Sequence, residues 1–457
     1  MNRFWMLLLL AGCAVQPNYQ RPAVDLPAAW KESAQEKDSA GRWWRVFTDP
    51  ALEKLVEEAL ARNTNLLLAA ARVDEARSLV GQSEAAYYPS VDARFGRNRT
   101  LSSSATGLLP PDVARERNNY RASLDVAYEI DLWGRLRATT QAARADLLAS
   151  ESARDTVRIT LAADVAKTWF ALHSLDAQVE ATRRTLALRE DGLGLQKKRF
   201  DGGVISEYDY RQLEAEAAAA RAQLPPLVRD REIQEAALAV LLGRSPKAIM
   251  DGSVSRMKNS QEQLLAVVVP SGLPSELLLR RPDLVEAEQR LIAANARVAV
   301  ARSAMFPSIQ LTGFLGSEAQ DLSSLFSGPA GIWQLAAAVA APIFAGGRLE
   351  AQVGAAEARE KQALAGYQGA IQNAFREVRA ALAAQRRARE SFEAESARAT
   401  ALAATLRLAR LRYDSGLASQ LDVIDAERGL LAAEIARYDA LRAQRAAVAD
   451  LFKALGG

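Results

Sequence analysis

Two proline-free stretches, about 134–200 and about 347–413, constrain this 457-residue chain more than any other feature. Each can hold one helix of about 67 residues, roughly 100 Å at 1.5 Å rise per residue. Helices of that length are unusual in compact domains and call for coiled-coil packing along their sides. Composition points the same way: Ala, Leu, Arg and Glu dominate, and aromatics are only 6%. That suits long helices better than compact α/β domains.

The two stretches belong to an internal duplication. Phe200-Asp201-Gly202-Gly203-Val204-Ile205-Ser206 recurs as Tyr413-Asp414-Ser415-Gly416-Leu417-Ala418-Ser419, and Gly134-Arg135-Leu136 as Gly347-Arg348-Leu349, both with an offset of 213 in the numbering. Tyr88-Pro89-Ser90 recurs as Phe306-Pro307-Ser308, and Asn65-Leu66 as Asp283-Leu284, both with an offset of 218. The difference between the two offsets falls between the Pro and Gly-Arg-Leu steps, where a loop absorbs it.

Each repeat reads alike. A helix of about 25 residues (about 64–88, then 282–306) ends at the Tyr/Phe-Pro step, where proline lacks an N–H and restricts its predecessor. A β-hairpin follows (89–132 and 307–345), then the long helix, then a return helix at about 206–242 or 419–455. Gly202, Gly203 and Gly416 mark the turns at the helix tips, with Gly203 and Gly416 suited to a left-handed conformation. Ser206 and Ser419 are N-cap residues for the return helices. A return helix and a short helix laid end to end nearly match one long helix in length.

The hairpins alternate with period two. Tyr120, Ala122, Leu124, Val126, Tyr128, Ile130 and Leu132 fall on one face, and Arg121, Ser123, Asp125, Ala127, Glu129 and Asp131 on the other. Val91, Ala93 and Phe95 oppose Asp92, Arg94 and Asn98 on the partner strand. In the second repeat Trp333, Leu335, Ala337, Val339, Ala341 and Ile343 share a face, while Ile309, Leu311 and Leu315 lie on another strand. Such strands fit either a soluble sheet packed on a core or a membrane barrel with its charges in a watery lumen. Four strands cannot close a barrel with a lumen, so a barrel requires several protomers.

The N-terminus favours the membrane. After Arg3, the apolar run Phe4 to Leu10 is too short to span a bilayer and fits a secretory signal. Leu10-Ala11-Gly12-Cys13 resembles the lipobox of bacterial lipoproteins, and Cys13 is the only cysteine. That resemblance implies cleavage before Cys13, diacylglycerol on its thiol and an acylated amine, enough chains for a stable anchor. Ala14, rather than Asp, leans towards the outer membrane. The expected organisation is a signal peptide (1–12), a lipid-anchored extended segment (13–50), a first repeat (51–242), an equatorial connection (243–281) and a second repeat (282–457).

Other classes find little support. Net charge is +3 and no basic run tracks phosphates, so nothing argues for nucleic acid. One Cys and one His give no disulfide, no metal cluster and no His-based catalytic dyad. His173, in Trp169-Phe170-Ala171-Leu172-His173, reads as a helix residue with a satisfied hydrogen bond, with pH sensing as the alternative. The Trp43-Trp44 pair reads as packing that anchors a segment. No cofactor, metal or catalytic residue is expected. A pore-free periplasmic coiled-coil lipoprotein is the competing structural reading.

The ordered set of motifs resembles the TolC-like outer-membrane factor family, in its lipoprotein branch serving RND efflux pumps. It comprises the lipobox, Pro17-Asn18-Tyr19-Gln20-Arg21-Pro22, Trp43-Trp44-Arg45-Val46-Phe47-Thr48-Asp49-Pro50-Ala51-Leu52, Asp131-Leu132-Trp133-Gly134-Arg135 and Arg280-Arg281-Pro282-Asp283-Leu284. The resemblance implies a mainly α fold with a membrane β portion. Three copies would form a twelve-stranded barrel continued by a helical coiled-coil barrel. It also implies a passive gated duct for small molecules such as drugs, not an enzyme, docked to a periplasmic adaptor and an inner-membrane transporter. A duct for type I protein or polysaccharide secretion is the alternative within this fold. By the same resemblance Leu421, Asp425 and Arg428 form the periplasmic gate on one helix face. Leu421 would close it sterically, Asp425 would form an acidic ring, and Arg428 would pair with it or with a neighbouring helix. Asp422 and its first-repeat counterpart Asp209 join this gate set, although Tyr208-Asp209-Tyr210-Arg211 lacks the full triad.

Overall fold

The computed structural model describes residues 19–22, 41–103, 105, 114–252, 254 and 280–457. The expected signal peptide, Cys13, most of the 13–50 segment and residues 255–279 lie outside the described residues. In chain order, a 3₁₀ turn (Trp43–Phe47) precedes α1 (Pro50–Arg62), α2 (Thr64–Ala85), β1 (Ser90–Leu101), β2 (Glu116–Ile130), α3 (Arg135–Asp201) and α4 (Glu207–Leu241). Then come α5 (Pro246–Met250), α6 (Pro282–Ser303), β3 (Ser308–Ala319), β4 (Gly331–Ala340), α7 (Arg348–Asp414) and α8 (Gln420–Leu455). The helices α3 and α7 have 67 residues each. No described helix is long and apolar enough to cross a membrane.

The chain divides into two compact units, one of residues 1–23, 72–150 and 286–368, the other of 24–71, 151–285 and 369–457. The first unit holds β1 to β4 in one antiparallel sheet of order β1-β2-β3-β4. The two hairpins are therefore not separate: β2 pairs with β3 from Tyr120↔Ala319 to Ile130↔Ile309, which welds the repeats together. Gly316 permits this, because a Cβ there would overlap the Ala122 carbonyl oxygen.

The register places every apolar series on one face. Val91 pairs with Val126 and Ala93 with Leu124, Leu124 with Leu315, Leu315 with Trp333 and Ile309 with Val339. This face has no cover among the described residues: Phe95, Leu315, Trp333, Leu335 and Val339 are 66–79% exposed. The opposite face carries the charges of the sheet's middle, although β4 presents Ile332, Ala336, Ala338 and Ala340 there, and Arg97, Arg99 and Glu116 share the apolar face towards the β1–β2 loop. Arg94 pairs with Asp125 at 3.4 Å and Arg121 with Glu318 at 3.7 Å, and Asn119 donates to Glu318 at 2.9 Å.

The Asp131-Leu132-Trp133-Gly134-Arg135 motif turns strand into helix. Asp131 accepts from Leu136 N–H at 3.1 Å and Arg137 N–H at 3.0 Å, capping α3. Gly134 takes φ +81°. Trp133 stacks on Phe306 with ring centroids 4.8 Å apart and donates to the Pro307 carbonyl at 2.6 Å. Arg135 grips Glu129 with two bonds of 2.9 and 2.6 Å. In the same unit, Arg21 makes two 2.6 Å bonds to the buried Glu288 of α6, and Tyr19 adds a third at 3.2 Å.

The second unit holds the main aromatic core. Asp49 caps α1 through Ala51 N–H at 2.9 Å and accepts from Trp169 Nε1 at 2.8 Å. Trp43 stacks on Phe452 at 5.4 Å, Phe47 meets Phe170 at 4.7 Å, and Trp43 and Trp44 are both buried. His173 lies edge-on to Trp169, 4.3 Å between centroids.

The duplication also shows where the helices of each repeat meet. Asn63 caps α2 by accepting from Asn65 N–H at 2.9 Å and donates to the Leu241 carbonyl at 2.8 Å. Its counterpart in the second repeat, the buried Arg281, donates to the Ala454 carbonyl at 2.9 Å. Arg281 also holds Asp283 at 2.6 Å and Glu377 at 2.8 Å. Gly243 and Gly456, another equivalent pair, both have positive φ and lie against the Arg62 and Arg280 carbonyls.

Candidate functional site

The expected gate residues cluster where long helix turns into return helix, all within the second unit. Both turns are Schellman motifs. Gly203 (φ +71°) donates to the Phe200 carbonyl at 2.8 Å and Val204 to that of Arg199 at 2.8 Å. Gly416 (φ +75°) donates to Tyr413 at 2.9 Å and Leu417 to Arg412 at 2.8 Å. Gly202 is not among the left-handed residues; its counterpart is Ser415, so only Gly203 and Gly416 need the freedom of glycine.

The return helices start at Ser206 and Ser419. The Ser206 hydroxyl accepts from Asp209 N–H at 3.1 Å, and Ser419 from Asp422 N–H at 3.3 Å. The carboxylates turn back onto these caps: Asp209 accepts from the Ser206 hydroxyl at 2.7 Å, and Asp422 from the Ser419 hydroxyl at 2.8 Å and N–H at 2.7 Å. These bonds hold the Asp422 carboxyl below the usual carboxylate range. The structure thus engages Asp209 and Asp422 in the turns.

On α8, Val423, Ile424 and Ala426 are buried, which leaves Leu421, Asp425 and Arg428 on the opposite, exposed side. Leu421 remains 43% exposed. Arg428 divides its donors unequally. Its Nη1 reaches Asp425 at 3.4 Å, a long contact to an exposed acid. Its Nε donates to Glu216 of α4 at 2.9 Å, and its Nη2 binds the second oxygen of the same carboxylate. Glu216 is 7% exposed. Arg189 of α3, also buried, lies 3.3 Å from the Glu216 carboxylate and donates to its main-chain carbonyl at 3.0 Å. The Arg428 hydrogen bonds, opposed by burial and aided by the charges of Arg428 and Arg189, hold the Glu216 carboxyl below its ordinary range.

A second link joins the tips. The Tyr413 hydroxyl on α7 accepts from Gln196 Nε2 at 3.1 Å and Arg199 Nη1 at 3.3 Å on α3. At the tips, the hairpin α3–α4 is therefore tied to the hairpin α7–α8 by these two links, and further along α3 meets α8 again through Arg184–Glu434 at 3.5 Å and Gln178–Asp439 at 3.1 Å. Parting the tips requires breaking Tyr413–Gln196/Arg199 and Arg428–Glu216.

Glu216 is absent from the sequence expectation. The repeat itself hides it, since the second-repeat counterparts of Arg189 and Glu216 are Leu402 and Gly429. There the helices meet through a close apolar approach, and a Cβ at Gly429 would lie 3.3 Å from Leu402 Cδ2. The duplicated hairpins diverged from one another here, an ion pair in one and a packing contact in the other.

Residues 55–244 and 273–457 match the family described as Outer membrane efflux protein. The chain belongs to that family. As an outer membrane efflux protein it is a channel and not an enzyme. It is 34% identical to the cation efflux system protein CusC of Escherichia coli O6:H1, over 99% of this chain and 97% of that protein. It is 35% identical to the solvent efflux pump outer membrane protein SrpC of Pseudomonas putida, over 99% and 96%. The Campylobacter jejuni CmeC outer membrane channel superposes with a TM-score of 0.91 at 27% identity, over 97% of this chain and 95% of that one. The fold is thus that of the family's outer-membrane channels, mainly α with a β portion.

Proposed function

We propose that this chain is the passive exit duct of a tripartite efflux system. The observation that carries the reading is the sheet: one uncovered, mainly apolar face, an opposite face that carries the Arg94–Asp125 and Arg121–Glu318 pairs, and two edges, β1 and β4, unpaired among the described residues. Lipid is the natural cover for such a face, and open edges of 12 and 10 residues call for strand partners. Strands of 10–15 residues suffice to span a bilayer at a tilt. Three copies would supply twelve strands, with the charged face lining the lumen. The acylated Cys13 would anchor the N-terminus in outer-membrane lipid, and the long helices would extend into the periplasm towards an adaptor and an RND-type transporter, which supplies the energy.

Closure rests on the tip. Leu421 narrows the mouth and Asp425 adds an acidic ring. Arg428 keeps the second-repeat hairpin against the first through Glu216, while Asp209 and Asp422 keep the turns rigid. Docking of the adaptor would part the hairpins. Cargo is not written in the duct: relatives at 34 and 35% identity are named for cation and solvent efflux respectively. Small-molecule export is the shared function, with selection left to the transporter.

Purified protein in a planar lipid bilayer tests the reading. Ion conductance, a trimeric mass in detergent and acyl chains on Cys13 by mass spectrometry are expected, with Cys13→Ser losing only the last. A monomer with no affinity for detergent or lipid would remove the assignment.

A further inference from the structure

The internal duplication extends to the strand register, and that fixes more than the fold within one chain. In β1–β2 the residue numbers of every pair add to 217, from Ser90↔Ala127 to Leu101↔Glu116. In β3–β4 they add to 648, from Ser308↔Ala340 to Ser317↔Gly331. The difference of 431 is the two repeat offsets, 218 and 213, taken together. The second hairpin therefore copies the first residue for residue.

The β2–β3 junction links the end of one hairpin to the start of the next, and its pairs add to 439. The open edges β4 and β1 are the equivalent end and start. If a second copy continues the sheet, β4 of one chain meets β1 of the next in the same relation. Moving β2 forward by 213 onto β4, and β3 back by 218 onto β1, changes the constant from 439 to 434.

We infer that β4 of one protomer pairs antiparallel with β1 of its neighbour in the register Arg94↔Ala340 to Leu101↔Trp333, with Phe95 opposite Val339. The inference rests on the oligomeric duct proposed above and specifies its interface. Two relations support the register. Phe95 and Leu101 meet Val339 and Trp333, all on the uncovered face of their own sheet, while Arg97 and Arg99 on that side of β1 fall opposite Ala337 and Leu335. One passage across four strands and this junction advances the numbering by eight, an even number, which keeps each face continuous from copy to copy. Below Ala340 stands Pro342, opposite Asp92 in this register, whose missing N–H limits the ladder.

Disulfide trapping tests it, since Cys13 is the only native cysteine. Outward and inward pairs alternate in hydrogen-bond type along an antiparallel ladder. One pair from each face is therefore used: Phe95→Cys with Val339→Cys, and Arg94→Cys with Ala340→Cys. Within one protomer β1 and β4 are separated by three strand spacings, about 14 Å, too far for a disulfide. A bond must join two copies. Mild oxidation of the protein in outer-membrane vesicles is expected to give a covalent trimer for at least one of these pairs. The pairs offset by two positions, Phe95→Cys with Ala337→Cys or with Ala341→Cys, should yield about tenfold less, because diagonal neighbours lie about 7–8 Å apart. Predominant trapping of an offset pair overturns the register and leaves the trimer standing. No trapping in any pair, with a monomeric mass in detergent, overturns both.

Discussion

Arg428 grips Glu216, on a helix of the other repeat, through Nε and Nη2 along one edge of its guanidinium, and reaches its own helix neighbour Asp425 only through Nη1 at 3.4 Å. Of these two contacts of Arg428, the one between the hairpins is therefore the stronger. Replacing Arg428 by Ala leaves the buried Glu216 carboxylate only Arg189 at 3.3 Å, and Arg428 is half exposed, so the cost is about 1–2 kcal/mol. Arg428→Ala and Glu216→Gln should each raise basal conductance in planar bilayers by about 5- to 30-fold if that energy biases the closed state. Asp425→Ala should change it by less than about threefold. A larger effect at Asp425 than at Glu216 would reverse the assignment.

The latch should weaken only in acid. The Glu216 carboxyl is held below its ordinary value, first by the Arg428 hydrogen bonds. A depressed carboxylate contributes stability that is fully present above its unfolded value, about 4.3, and is lost as pH falls through the lower folded value. Basal conductance should stay flat from neutral pH down to about 5 and rise below about 4. In Glu216→Gln this acid-induced rise should shrink. An unchanged acid profile in that variant would show that another group gates the tip.

The two helix junctions should differ in strength although the repeat places them alike. Arg281→Met takes the shared cation from Asp283, Glu377 and the Ala454 carbonyl; the two carboxylates are 34% and 42% exposed and rehydrate, so the cost is about 2–3 kcal/mol, that of the lost charged hydrogen bonds. Asn63→Ala removes a cap and one carbonyl bond, about 1–2 kcal/mol. Denaturant midpoints in detergent should fall in that order.

Gly316→Ala should block assembly of the sheet, because the new methyl would overlap the Ala122 carbonyl oxygen, a backbone atom that cannot yield. Gly328→Ala, with open space around it, is the matched control. The Gly316 variant should lose the heat-modifiable folded band on gels while the control keeps it.

The amino-acid sequence by itself determined the class of the fold. Absent prolines over 134–200 and 347–413, glycine at 203 and 416, and serine at 206 and 419 are local signals, and local backbone chemistry suffices to read them. Alternation in 120–132 likewise gave the two faces of β2. The consecutive Pro225 and Pro226 do not end α4, because they lie exposed, where water can take the carbonyls they leave unbonded.

Only tertiary structure decided the pairings between distant segments. It joined β2 to β3, merging two hairpins into one sheet, and it made Glu216 rather than Asp425 the main partner of Arg428. It also turned Asp209 and Asp422 back onto their serines. The reason is that a helix or strand pattern specifies which side of an element is buried or charged, but not which residue of another element stands opposite. That is set by register and packing between segments far apart in the chain, and in Glu216 the repeat gives no hint, since its counterpart is Gly429.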